Sequence, residues 1–240
     1  MSGHSKWASI KHSKGKADKQ RSKVFSKLSK EISVAAKLGD KDPAMNPRLR
    51  SAIQAAKSAN MPKDNIERAI AKSSANSETN YENLRYEGFG PDKIAVIVEV
   101  LTDNKNRTVA DIRHLITKYG GNLGENGSVA WMFDKKGQII LKRDDQDENI
   151  LFEDAIDAGA EDFEAVHDAF IITTDPADIL SVRSSIENKG YFVESSKVEM
   201  LPKNLHKIND ENSEKAISLL NEIEDHDDIK SIYTNFEPAD

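Results

Sequence analysis

The side chains best suited to chemistry in this sequence are cationic and are concentrated at its start. Residues 1–30 hold nine lysines and arginines and a single acidic residue, Asp18. Closely spaced cations on a flexible backbone can each neutralise a phosphate and release a counterion, and an aromatic ring can stack on an unpaired base. The pattern therefore predicts contacts to a phosphate polymer from Lys6, Trp7, Lys11, His12, Lys14, Lys16, Lys19, Arg21, Lys23, Lys27 and Lys30.

The positive charge continues past this segment and then reverses. Residues 1–80 carry 17 Lys and Arg against 7 Asp and Glu, a net charge of +10, whereas residues 81–240 carry a net charge of −17. Such asymmetry favours a polyanionic partner for the first part and a solubilising or protein-binding surface for the acidic remainder. Four more cations of the basic part join the predicted nucleic-acid-binding set, namely Arg48, Arg50, Lys63 and Arg68.

Catalytic and metal-binding sites are not predicted. The sequence has no cysteine, and its six histidines are scattered without the spacing of metal ligands on a helix. The acidic run DDQDE lacks the glycine of a calcium loop, and nucleophile-elbow motifs are absent. We therefore expect no catalytic residue, no metal and no cofactor. No apolar run approaches the roughly 20 residues of a membrane helix, so we expect a cytoplasmic protein without membrane contact.

The elements that must position the cations are helices. Residues 1–21 lack an apolar period and are predicted to form a flexible basic arm. Apolar residues then recur at three- and four-residue spacing from Ser22, and the pairs Asn46-Pro47 and Met61-Pro62 mark two further helix starts. These signals predict a domain of three short helices over residues 1–76, closed by the polar linker SSANSETN.

Strand patterns follow the linker. The run IAVIVEV predicts a buried central strand, and a helix follows it. A strand at 129–133, a turn around Lys135-Lys136-Gly137 and a strand at 138–142 complete a β-α-β-β order. The missing helix and strand appear only near the C-terminus, which predicts an insertion. The expected fold is α+β: a three-helix domain plus two ferredoxin-like α/β sandwiches, one over 77–143 with 206–240 and the other, incomplete, inserted at 144–205.

Three narrower interpretations follow from particular residues. The second and third helices could form a helix-turn-helix that meets DNA through Lys63, Asn65 and Arg68, but plain bundle packing explains them more simply. An RNA-recognition motif is not favoured, because the aromatic segment GFG precedes the first strand instead of lying on the third. The loop TDNKNRT from Thr102 could touch a phosphate through Asn104, Lys105 and Arg107, or could serve only to cap a helix through Asn104 or Asn106.

Four separated segments give the sequence a specific resemblance. The opening MSGHSKWASIKHSKGKADKQRSKVFSKLSKEI, the segment NPRLRSAIQAAKSANMPKDNIERAI, YEGFGP and TDNKNRT together resemble the YebC/PmpR family along essentially the full chain. The resemblance implies three domains, one interrupting another, and a probable DNA-binding transcriptional regulator. It also implies an alternative, because some relatives are translational activators that act with the ribosome.

Two classes of target consequently stay open, DNA and ribosomal RNA, since both are phosphate polymers that charge cannot separate. In either class the acidic domains could contact other proteins. A third possibility is an interaction scaffold whose arm binds nothing in particular.

Overall fold

The computed structural model describes residues 17–73, 80–144, 146–166 and 168–238, and its described part divides into two compact units. The larger unit comprises described residues within 17–130, 208–232 and 238, and the smaller unit comprises those within 131–207 and 233–237. Helices and antiparallel strands occur together in the chain, so the α+β class is confirmed. Within these ranges every helix is too short or too polar to span a membrane.

Three helices open the larger unit. They are α1 (Ala17–Leu38), α2 (Pro47–Ser58) and α3 (Lys63–Lys72). Their apolar faces meet in one buried core that includes Ile32, Leu49 and Ile66. α1 begins five positions before the predicted start, because the intervening Ala, Lys, Gln and Arg are good helix formers although they add no apolar periodicity.

Asn46 explains why α2 begins where the sequence predicts. Its Oδ1 accepts a hydrogen bond from the Leu49 backbone N–H at 3.0 Å, and its Nδ2 donates to the carbonyl of Ala35 in α1 at 2.9 Å. Pro47 follows as the first helical residue, where its missing N–H costs nothing. The buried Asn46 side chain thus caps α2 and ties it to α1.

A four-stranded sheet lies in the same part of the fold. Its elements are β1 (Glu82–Phe89), β2 (Ala95–Thr102), α4 (Lys105–Lys118), β3 (Asn122–Leu123), and later β9 (Ile229–Thr234). The strand order is β3-β1-β2-β9. β2 is buried along almost its whole length, as predicted for a central strand. β1 was not predicted, because it alternates polar side chains such as Arg85 with half-buried ones.

A second four-stranded sheet follows in the chain. Its elements are β4 (Phe133–Lys142), α5 (Glu148–Asp157), β5 (Asp162–Ala165), β6 (Ala169–Thr174), α6 (Ile179–Asn188) and β7 (Val193–Pro202), and its strand order is β5-β6-β4-β7. This is a complete β-α-β-β-α-β succession, so the prediction that residues 138–142 form a strand of the first sandwich, leaving the inserted one incomplete, is wrong. The three predicted domain bounds themselves stay a prediction.

Gly137 explains the error. The segment Lys135-Lys136-Gly137 has the composition of a turn, but it runs straight through β4, where Gly137 pairs with both β6 and β7. A Cβ at Gly137 would lie 2.4 Å from Thr174 Oγ1 and 3.0 Å from Ile179 Cβ. The glycine is therefore required by close packing inside the sheet and not by a reversal of the chain.

The chain closes with a further helix and two short strands. These are β8 (His206–Lys207), α7 (Asp210–Glu224) and, after β9, β10 (Phe236–Glu237), which pairs in parallel with β8. α7 packs buried residues that include Leu219 and Ile223, and its end leads into the acidic turn Glu224–Asp228. That turn brings residues from the end of the chain to the surface of α1.

Candidate nucleic-acid interface

Part of the predicted basic face is bound by the acidic turn Glu224–Asp228. Lysines at positions 23, 27 and 30 lie on one side of α1, since their spacing is four and three residues. Their contacts join Lys23 Nζ to Asp225 Oδ2 (3.1 Å), Lys27 Nζ to the Glu224 carbonyl (2.5 Å), and Lys30 Nζ to the Asp227 carbonyl (3.1 Å) and Asp228 Oδ1 (2.9 Å). These three cations therefore have protein partners in the folded chain.

Asp228 is the centre of this contact. Its side chain is 6% exposed and faces two cations, Lys30 and Arg107, whose nitrogens each lie 2.9 Å from a carboxylate oxygen. The hydroxyls of Thr102 and Thr108 donate to its Oδ2 at 3.0 and 2.8 Å. Burial alone would raise the pKa of the Asp228 carboxyl, but the hydrogen bonds from Arg107, Lys30 and Thr108 outweigh it and hold the pKa well below its usual range.

The TDNKNRT loop serves the same cluster. Asn104 Oδ1 accepts the Arg107 backbone N–H at 3.1 Å and so caps α4, which is the helix-capping alternative. The Arg107 guanidinium donates to Asp103 as well as to Asp228, both at 2.9 Å. Within the described residues this arginine is thus committed to carboxylates of its own chain.

The remaining predicted cations have varied surroundings. Arg48 Nε lies 2.9 Å from Glu31 Oε1, and this contact helps to keep the Glu31 pKa below its ordinary value although burial raises it. The other partners are the carbonyls of Pro43 and Ala44 for Arg50, Glu67 at 3.5 Å for Lys63, and the Asp64 carbonyl and Asn65 Oδ1 for Arg68. Lys63 is 86% exposed, so its ion pair contributes little.

The remaining predicted residues lie near or before residue 17, where the described part of the chain begins. Arg21 is exposed on α1, and Lys19 belongs to the same helix. The arm residues Lys6, Trp7, Lys11, His12, Lys14 and Lys16 lie outside the described residues. Their contact with nucleic acid stays a prediction.

A groove between α1 and α3 is the feature that sequence reasoning missed. It has a volume of about 540 Å³ and is lined by Ser26, Ser29, Lys30, Ser33, Val34, Lys37, Asn65, Arg68, Ala69, Lys72, Ser73 and Tyr81. We call it the α1–α3 groove. Four of these residues are cations, four are serines, and none of the described lining residues is a carboxylate. The only signal in the sequence was the spacing of cations along two helices, and spacing does not show which helices meet.

The side chains of the helix-turn-helix interpretation do not form a surface separate from the α1–α3 groove. Of the three side chains that it would use on α3, Asn65 and Arg68 line the α1–α3 groove, and Lys63 pairs with Glu67. The groove therefore gathers both predicted and unpredicted cations in one place, with Arg68 and Lys30 from the predicted set and Lys37 and Lys72 added by the fold.

Comparisons with known proteins agree with this architecture along the whole chain. A sequence model described as the TACO1/YebC protein N-terminal domain matches residues 5–76, and one described as the TACO1/YebC second and third domain matches residues 81–236. A "probable transcriptional regulatory protein" of Pelagibacter ubique is 60% identical over 98% of both chains. Another, from Geobacter sulfurreducens, is 50% identical over 99% of this chain and 96% of the relative.

A solved structure gives the same result for the fold. The crystal structure of a conserved hypothetical protein from Aquifex aeolicus shares 44% sequence identity, covers 96% of each chain and superimposes with a TM-score of 0.86. Both sequence models and the relatives together span the three-helix segment and both sheets. This confirms the resemblance seen in the sequence: the chain belongs to the TACO1/YebC family.

Proposed function

We propose that this protein is a non-enzymatic, cytoplasmic regulator of gene expression that binds nucleic acid, with DNA as the polymer and transcription as the process. The observation that carries the proposal is the concentration of cations in the three-helix segment, where residues 1–80 carry 17 Lys and Arg against 7 Asp and Glu and the described lining of the α1–α3 groove holds four cations and no carboxylate. The names of the relatives, probable transcriptional regulatory proteins, support the same function.

Charge placement favours a polyanion over other ligands. The chain as a whole has a net charge of −7, so a uniform surface would repel phosphate. The cations are instead concentrated in the three-helix segment, and some of the acidic residues that could oppose them are neutralised within the fold, as Glu31 is by Arg48. Each cation that meets a phosphate releases a counterion, which gives affinity that depends steeply on salt.

The basic arm extends this surface in the proposal. Its lysines precede α1 in the sequence, and their release of counterions would add to that of the groove. The acidic sheets are left for protein partners, since their surface repels nucleic acid.

The test compares the two candidate polymers at matched salt. A gel shift on duplex promoter DNA and cosedimentation with ribosomes are measured with the full chain at several ionic strengths. Salt-sensitive DNA binding with weak cosedimentation supports the transcriptional function. Ribosome binding without DNA binding overturns it in favour of a translational activator, and no salt-sensitive binding in either assay indicates a scaffold.

A further inference from the structure

We propose that the α1–α3 groove binds single-stranded nucleic acid, holding the sugar-phosphate backbone with its cations and serines and stacking one base on Tyr81. The inference rests on the proposed function and adds the site and the strandedness of the ligand. Its evidence is the chemistry of the residues that line the groove.

The α1 wall repeats donors that suit phosphate oxygens. Ser26, Lys30, Ser33 and Lys37 follow one another at spacings of four, three and four residues, so they lie along one face of the helix. The rise of 1.5 Å per residue separates Lys30 from Lys37 by about 10.5 Å along the axis. Lysine and serine are both common donors to nucleic-acid phosphates. Ser33 already donates its hydroxyl proton to the Ala69 carbonyl and Lys30 already contacts Asp228, so the proposal assigns successive phosphates to Ser26 and Lys37 on this wall.

The α3 wall supplies the facing donors. Arg68 and Lys72 lie one turn apart, about 6 Å along the helix axis, and Asn65 precedes them on the same side. Arg68 donates to Asn65 and to the Asp64 carbonyl, which limits the positions its guanidinium can adopt. A strand lying between the two walls would thus meet cations from both sides.

The two walls of the groove meet at its floor. Ser33 Oγ donates to the Ala69 carbonyl at 2.7 Å, so α1 and α3 are in direct contact at the base of the groove. A volume of about 540 Å³ falls within the roughly 300–1,000 Å³ of sites that hold small ligands, which suits a nucleotide-sized unit.

Tyr81 is the one aromatic side chain among the described lining residues. Lys30 Nζ lies 5.5 Å from the centroid of its ring, and the side chain is partly exposed. A base stacked on this ring would therefore lie next to Lys30, whose ammonium group also contacts Asp228. Stacking of this kind tolerates every base and distinguishes unpaired strands from duplexes, whose bases already stack on each other.

The adjoining cavity suits a phosphate backbone less well than the groove does. It shares Ser26, Lys30 and Tyr81 with the groove, and its other lining residues are five aspartates together with Lys23, Arg107 and His226. Carboxylates repel a phosphate backbone. We infer that the strand ends at Tyr81 and runs from there along the groove towards Lys72.

The experiment measures fluorescence anisotropy of the full chain with labelled oligonucleotides of about twelve nucleotides, a length within known site sizes. The probes are oligo-dT, oligo-U and a duplex of mixed sequence, each measured at several salt concentrations between about 0.05 and 0.2 M. Lys72→Ala is paired with Lys57→Ala, because both lysines are exposed in the last turn of a helix in the same three-helix segment. Tyr81→Leu is paired with Tyr86→Leu and with Tyr81→Phe, and the melting temperature of each variant checks its folding.

Single-strand binding should weaken about fivefold in Lys72→Ala, with a salt slope flatter by about 0.7, and should change little in Lys57→Ala. Tyr81→Leu should weaken single-strand binding at least about fivefold, whereas Tyr81→Phe keeps the ring and should bind single strands as wild type does. Duplex affinity should be unaffected by either groove variant. These losses support the proposal whether they are seen with oligo-dT or with oligo-U. The ratio of the two affinities identifies the sugar that is recognised.

Three results would overturn the inference. They are equal losses for duplex and single strand, a Lys72→Ala effect no larger than that of Lys57→Ala, and displacement of oligonucleotide by poly-glutamate as efficiently as by unlabelled oligonucleotide. If nucleic acid binds with steep salt dependence and both groove variants bind it as tightly as wild type does, the site is wrong but the proposed function survives. If no nucleic acid binds at all, the proposed function itself fails.

Discussion

Replacing Asp228 with asparagine should destabilise the protein by about 3 kcal/mol, because two cations lose the buried carboxylate that they share. The introduced asparagine has the shape of the native side chain but is neutral, and one of its two terminal atoms becomes an NH2 group that faces existing donors. If the amide oxygen keeps the contacts to Thr102, Thr108 and Arg107, the NH2 group is turned towards Lys30, whose side chain is only 20% exposed.

The size of the loss follows from the exposure of the partners. Removing one member of a buried pair costs about 3–5 kcal/mol. The lower end applies here, because Arg107 is 48% exposed and keeps its contact with Asp103. For a chain of this size, about 3 kcal/mol corresponds to a fall in Tm of roughly 6–12 °C.

The pH dependence gives an independent check. The pKa of Asp228 is lowered in the folded state, so its stabilisation is fully present above the unfolded pKa of about 3.9 and is lost as the pH falls through the folded value. The Tm difference between wild type and Asp228→Asn should therefore be largest near neutral pH and should shrink from about pH 5 downwards.

Thermal melts by circular dichroism at pH 7 and at about pH 3 measure both effects. Asp227→Asn is the matched control, since the Asp227 carboxylate is exposed and only the Asp227 backbone carbonyl contacts Lys30. The reasoning is refuted if Asp228→Asn melts within about 2 °C of Asp227→Asn, or if the difference from wild type is the same at both pH values.

Three further predictions address other parts of the chain. Asn46→Ala should cost about 1–2 kcal/mol in urea unfolding, since it removes the α2 cap and a buried contact to α1, whereas Asp42→Ala in the exposed preceding turn should cost less. Gly137→Ala should lower Tm because its Cβ would collide with Thr174 Oγ1; an unchanged Tm would show that β4 can shift to make room. Neutralising the arm should flatten the salt slope of binding by about 0.7–0.9 per lost contact, and unchanged affinity would contradict the role given to Lys6, Lys11, Lys14 and Lys16.

Local elements and the distribution of charge could be read from the residue order alone. The Asn46-Pro47 start of α2, the buried run of β2 and the excess of lysine before residue 80 depend on residues close together in the chain. Caps, turns and apolar periodicity act over a few residues, so they can be recognised without knowing the fold. The same local reasoning missed β1 and mistook Lys135-Lys136-Gly137 for a turn, because a strand that is half polar or that contains glycine is defined by its neighbours in the sheet.

The protein partners of each cation, and the groove that some of the cations line, became visible only in the packed chain. Lys30 meets Asp228 across 198 positions of sequence, and Arg68 comes to face α1 because α3 packs against it. Composition gives the number of positive charges, but a cation's availability depends on carboxylates brought to it from distant parts of the chain. Ion pairs and grooves are properties of spatial neighbours, and those neighbours exist only once the helices and sheets have packed.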